Sequence, residues 1–174
     1  MSHDVRIAIS CPDRTGLLAA ITGRLFDLGA DLGDTSFAVL GAAAEFACVA
    51  TLPDTLAPDE TEAELAKLPD LKGATIAVTP FKLASVHSET GQITHRIEVR
   101  GADKPGLVAR LAEVFAEFGA NIVRLDSEHI PGGGEGDYLI RFEVWLPPAR
   151  AASCLAAADN TAGSLGLSCK SEAV

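Results

Sequence analysis

Asp13 and Gly16 stand three residues apart, and Asp103 and Gly106 repeat that spacing at an offset of 90 residues. The surrounding words nearly match, CPDRTGLL at 11–18 and ADKPGLVA at 102–109. Each reads as the corner where a strand gives way to a helix. A helix amino terminus carries unpaired N–H groups and partial positive charge, so it can hold a carboxylate. A glycine there lets a ligand approach the backbone. The nearby Asp accepts hydrogen bonds from an ammonium group. One corner therefore offers contacts to both halves of a zwitterion. The strand after the helix opens with Asn121 in the second copy and with Asp31 in the first. Asn both donates and accepts, whereas ionised Asp only accepts. The second corner is thus the better carboxylate-plus-ammonium site, and the first favours the ammonium. A plainer reading uses the same residues. Asp13 and Asp103 cap the helix, Pro105 suits its first turn, and the glycines let helix and sheet pack closely.

The elements that must position these residues also come twice. Leu17 aligns with Leu107, Ala19 with Ala109, and Gly29-Ala30 with Gly119-Ala120. Leu52-Pro53 aligns with Leu146-Pro147 at an offset of 94, and the glycine-rich PGGGEG at 131–136 takes up the difference. This is an internal duplication. In the first copy Val5, Ile7 and Ile9 alternate with polar or small residues, the period of a half-buried strand. Helical spacing follows over 15–28, closed by Gly29. Strands are expected at 31–40 and 45–52, a second helix within 56–73, and a strand at 74–80. The second copy repeats the order: strand 93–100, helix 105–118, strands 121–130 and 138–146, helix 148–162, and a short strand at 166–170. Residues 82–92 are polar and weakly patterned and read as a linker. The division is a first domain at 1–81, the linker, and a second domain at 93–174. Strand–helix–strand–strand–helix–strand, twice, is the ferredoxin-like α+β plan: a four-stranded antiparallel sheet with two helices on one face. The first and third strands are central. The other sheet face is left for a partner, most cheaply a second copy.

Composition narrows the chemistry. The 174 residues carry a formal net charge of −10, with 48% hydrophobic and 5% aromatic residues. No dense Lys/Arg run appears, which argues against direct nucleic-acid binding, and the expected central strands lack the stacking aromatics of RNA-binding sheets. Four cysteines form no C-x-x-C pair and the four histidines fall in separate elements, so no metal site and no cofactor are expected. Cys11, at a strand end beside the corner, is the one thiol placed for a redox role. PGGGEGD at 131–137 lies between strands and reads as a hairpin, not a phosphate loop. The acids Asp59, Glu60 and Glu62 suit a helix start. No catalytic cluster is found. With no signal peptide and no membrane-length apolar run, a cytoplasmic protein with reduced thiols is expected.

The paired stretches CPDRTGLLAAITGRLFDLGADL and GADKPGLVARLAEVFAEFGANI resemble ACT domains, ferredoxin-like modules that typically bind amino acids and regulate. Two such modules in one chain are similar to the family of glycine-cleavage-system transcriptional repressors. CPDRTGL also resembles the leading ACT module of formyltetrahydrofolate hydrolases, whose catalytic domain would have to follow. The resemblance implies a ligand held between two modules, against Asp13, Gly16 and Leu17 or Asp103, Gly106 and Leu107. It also implies contact from Asn121, and from Asp31 in place of the usual Asn. The function it implies is non-catalytic: a small amino acid such as glycine or serine is bound, and a protein partner is regulated, from a homodimer. The rivals are a ligand-free interaction module and an accessory domain of a folate or amino-acid enzyme.

Overall fold

The computed structural model describes residues 2–130 and 137–174. The chain divides into two compact units, Met1–Ser85 and Val86–Val174. In the first, the alternation of Val5, Ile7 and Ile9 produces β1 (His3–Pro12), with these three side chains buried. The chain then forms α1 (Leu17–Asp27), β2 (Asp31–Leu40), β3 (Ala43–Leu52), α2 (Pro58–Ala66) and β4 (Thr75–Pro80). The second unit repeats this as β5 (His95–Ala102), α3 (Leu107–Glu117), β6 (Asn121–His129), β7 (Asp137–Trp145), α4 (Ala151–Ser164) and β8 (Ser168–Ala173). Both sheets are antiparallel, in the orders β2-β3-β1-β4 and β6-β7-β5-β8, so the first and third strands of each are central. This is the duplicated ferredoxin-like plan.

Helix spacing explains which face each sheet buries. Leu17, Ile21 and Leu25 on α1 recur every four residues and are buried, as are Leu107, Leu111 and Phe115 on α3. They pack on Ile7, Ile9, Phe46 and Cys48 in the first core and on Ile97, Val99, Ile140 and Phe142 in the second. On α4 the same face carries Cys154, Ala158 and Ala162, all fully buried. Both α1 and α3 end in the same paired hydrogen bonds. Gly29 N–H donates to the Phe26 carbonyl (2.9 Å) and Ala30 N–H to the Leu25 carbonyl (3.0 Å). Gly119 and Ala120 repeat this on Ala116 (3.0 Å) and Phe115 (2.9 Å). At the start of α2 the Glu60 carboxylate accepts from Ala57 N–H at 3.0 Å, the role expected of an acid there.

Within the segment 82–92, Glu89–Gly91 forms a 3-10 turn. One expectation needs correction. The last strand runs two or three residues later than its pattern indicated, because pairing with β5 from Ser168 to Ala173 sets it. The expected hairpin at 131–137 lies outside the described residues except for Asp137.

Candidate functional site

The two corners have the same backbone. Gly16 (φ +87°) and Gly106 (φ +77°) take the left-handed conformation at the N-cap, with no side-chain capping bond. Asp13 and Asp103 therefore do not cap their helices. The glycine itself makes the turn, in a conformation that costs other residues about 1–2 kcal/mol. A Cβ added at either glycine would meet nothing within 4 Å. Close helix–sheet packing is thus not why glycine stands there, and the space beside both corners is open. Ala20 N–H donates to the Gly16 carbonyl and Arg110 N–H to that of Gly106, each at 3.0 Å. The N–H groups before them belong to the first turn, which has no helical carbonyl to bond.

Leu17 and Leu107 belong to the cores, at 2% and 4% exposure. Only their backbone is near the corner, and their N–H groups already turn back to the carbonyls of Arg14 (3.4 Å) and Lys104 (3.2 Å). Around the second corner the Asp103 carboxylate lies 3.9 Å from His129 Nε2, and the His129 ring sits on Tyr138 with centroids 4.9 Å apart. Lys104 Nζ donates to the Leu165 carbonyl just past α4 at 2.5 Å. In the first corner Asp13 N–H donates to the Ala42 carbonyl at 2.9 Å.

Asn121 and Asp31 lie elsewhere. Asn121 pairs with Trp145, at the end of the sheet where β5 begins, while Ala102, just before Asp103, pairs with Asp137 at the other end. The eight residues between those levels span roughly 25 Å of strand. Asp31 pairs with Thr51, likewise at the end where β1 begins. Within one module the structure brings Asp103, Gly106 and the Leu107 backbone together, but it does not bring Asn121 to them. A small ligand touching both needs two modules. The Asn121 side chain is also engaged: Nδ2 donates to the Thr90 carbonyl, in the turn at Glu89–Gly91, at 2.8 Å. That contact, the His129 contact and the Lys104 tether were not read from the sequence. Each joins residues far apart in the chain, and no local pattern marks them.

Burial pushes up the Cys11 thiol beside the first corner, so it lacks the thiolate character a redox role needs. Cys48 and Cys169 are pushed up by burial to about 11. Among the described residues no group of three or more His, Cys, Asp or Glu side chains could hold a metal ion, and no helix is long and apolar enough to cross a membrane.

The ACT domain family model matches residues 95–144, from β5 through β7. No curated protein sequence matches the chain. An unknown protein from Galdieria sulphuraria has a similar structure, with a TM-score of 0.77 at 22% identity over 100% of this chain and 99% of its own. A candidate glycine cleavage system transcriptional repressor gives a TM-score of 0.69 at 14% identity, over 100% and 98%. At those identities the likeness is one of fold, and it extends over both units.

Proposed function

We propose that this chain, a tandem of two ACT-type modules, is a non-catalytic regulator that captures a small amino acid between modules and passes the event to a protein partner. One observation carries the reading: each module keeps an open corner where a left-handed glycine, an uncapped helix start and a nearby acid stand together. The first-turn N–H groups receive the ligand carboxylate. Asp13 or Asp103 receives the ammonium. Asn121 contributes from the module of a second copy. Glycine or serine suits a site whose partners are all backbone or short polar groups. The similarity to a candidate glycine cleavage repressor supports control of amino-acid metabolism, exerted through protein contacts because the chain is acidic. Four free cysteines, three of them buried, agree with a cytoplasmic setting.

A few charge-assisted hydrogen bonds give an affinity of about micromolar to millimolar. Titration calorimetry against the common amino acids should find at least one binder, weakened by Asp103→Ala and by Asn121→Ala. Silence of every amino acid at millimolar concentration overturns the reading. One observation favours a ligand-free interaction module instead: one of the two Asn121 Nδ2 hydrogens is already donated to the Thr90 carbonyl. That rival predicts that neither substitution alters the response of the melting temperature to added amino acids.

A further inference from the structure

The sheet face away from the helices differs in kind from the corners. In the second sheet it carries a grid of charge. Across β6, β7, β5 and β8 one row reads Arg124, Glu143, Arg96, Glu172, alternating in sign. The next row reads Asp126, Arg141, Glu98, Lys170, with every sign reversed. Glu143 is held from both sides, by Arg124 Nη1 at 2.8 Å and Arg96 Nε at 3.0 Å. Arg96 reaches Glu172 at 3.9 Å, and Arg141 Nε reaches Glu98 at 3.8 Å. The face is open to solvent, with the side chains of Arg96, Arg124 and Arg141 at least half exposed. A hollow of about 730 Å³ lies among them.

We infer that this face docks on the same face of a second copy of the chain, about a two-fold axis running along the strands between β5 and β7. The inference goes beyond the amino-acid reading and does not depend on it. Under that rotation β6 faces β8 of the second copy, and β7 faces its β5. Arg124 then lies opposite Glu172, Glu143 opposite Arg96, Asp126 opposite Lys170, and Arg141 opposite Glu98. Every apposition in the two rows joins unlike charges. In the third row Glu128 meets Ser168 and Leu139 meets Arg100, so no like charges meet there either. A shift by one strand would oppose like charges throughout, so the pattern penalises that slip. The hollow is room for the Arg and Glu tips of the second copy.

Strand and residue spacings give a face of roughly 20 Å by 15 Å. That is well below the ~800 Å² per partner of a standard interface. The contact is therefore reversible and sensitive to salt, setting partner and alignment more than affinity.

The same grid would arise if its charges served only to hold their own sheet together, and the experiment separates the two. Sedimentation velocity over a concentration series should show self-association at about 20 mM salt that weakens at about 500 mM. Arg96→Glu and Glu143→Arg should each weaken it about tenfold or more, because each self-pair then holds two like-charge appositions. An equimolar mixture of the two variants should regain it, because the altered positions face each other across the axis. Circular dichroism establishes that each variant is folded before mixing. Should a single variant fail to fold, the doubly substituted chain, which keeps unlike charges across the axis, should self-associate in its place. Absence of a salt-sensitive step, indifference to both substitutions, or failure of the mixture to recover each overturns the inference.

Discussion

At the centre of the second module Phe115 and Phe142 meet edge to face, ring centroids 5.2 Å apart. At the matching places in the first module stand Leu25 and Cys48, equally buried. The outer faces diverge more. Where the second sheet sets Arg141, Glu98 and Lys170 side by side, the first sets Ala47, Ala8 and Ala77. Yet the strand orders, the helix starts and the paired bonds that close the first helix of each module are the same. The fold is specified by which positions are apolar and by the glycines at the turns, and cores of different shape satisfy it. The identity of the outward residues is left free for function, and there the copies have separated.

The sharpest way to break this comparison is to empty the two cores at matched positions. Phe142→Ala removes a ring from a contact the second core depends on, and should cost that module about 3–5 kcal/mol. Cys48→Ala removes one sulfur and should cost the first module about 1 kcal/mol. The only Trp of the chain, Trp145, lies on β7, so its fluorescence reports the second module. In urea the fluorescence midpoint should fall steeply for Phe142→Ala and stay in place for Cys48→Ala. Equal effects would mean that the aromatic pair is not what distinguishes the two cores.

Glycines give a smaller contrast, of opposite sign. Gly106 is left-handed with free space beside it, so Gly106→Ala meets no atom but pays a backbone cost of about 1–2 kcal/mol. Gly23 lies inside α1, also with nothing within 4 Å of an added Cβ, and stands where the second module has Glu113. Gly23→Ala should stabilise the first module by about 0.5–1 kcal/mol, since glycine is a poor helix former. Thermal melts of the two variants should move in opposite directions. If Gly106→Ala proves neutral, conformation is not the reason glycine occupies the corner.

Much of this was legible in the sequence, for a physical reason. Strand alternation, four-residue helix spacing and a glycine closing each first helix are local signals, and the duplication showed them twice. The corner glycines were found that way, but their role was not. A backbone in the left-handed region looks the same in sequence as a glycine that permits close packing, so the plainer reading of the corner has Asp13 and Asp103 as caps where Gly16 and Gly106 make the turn. The sequence grouped Asn121 with the second corner, although α3 carries the chain back along the sheet between Asp103 and Asn121. The turn at Glu89–Gly91 could not be read because the Asn121–Thr90 hydrogen bond and the contact with β6 are tertiary. The charge grid was half visible. Arg96, Glu98 and Arg100 alternate within one strand, but the sign reversal between strands depends on register.

The smallest expected difference lies at the edge of that grid. Arg100 Nη2 donates to Asp137 Oδ2 at 2.8 Å, where the first module has Ser10 and Ala43 and no ion pair between them. The hydrogen bond from Arg100 holds the Asp137 carboxyl below its ordinary value, outweighing the opposing effect of burial, and the Arg100 charge adds a smaller lowering. A carboxyl depressed in the folded state stabilises it above the unfolded value of about 4 and loses that contribution as pH falls through the lower, folded value. The second module should therefore lose a little stability through that acid range for a reason the first does not share. Asp137→Asn should leave Trp145 fluorescence less sensitive to acid below about pH 4, with little change at neutral pH beyond the loss of an exposed, salt-screened pair. Because the Arg100 side chain is half exposed, the shift should shrink further in high salt. An acid response unchanged by the substitution would mean that the pair is a geometric neighbour with no thermodynamic effect, and that the two modules differ in charge without differing in pH dependence.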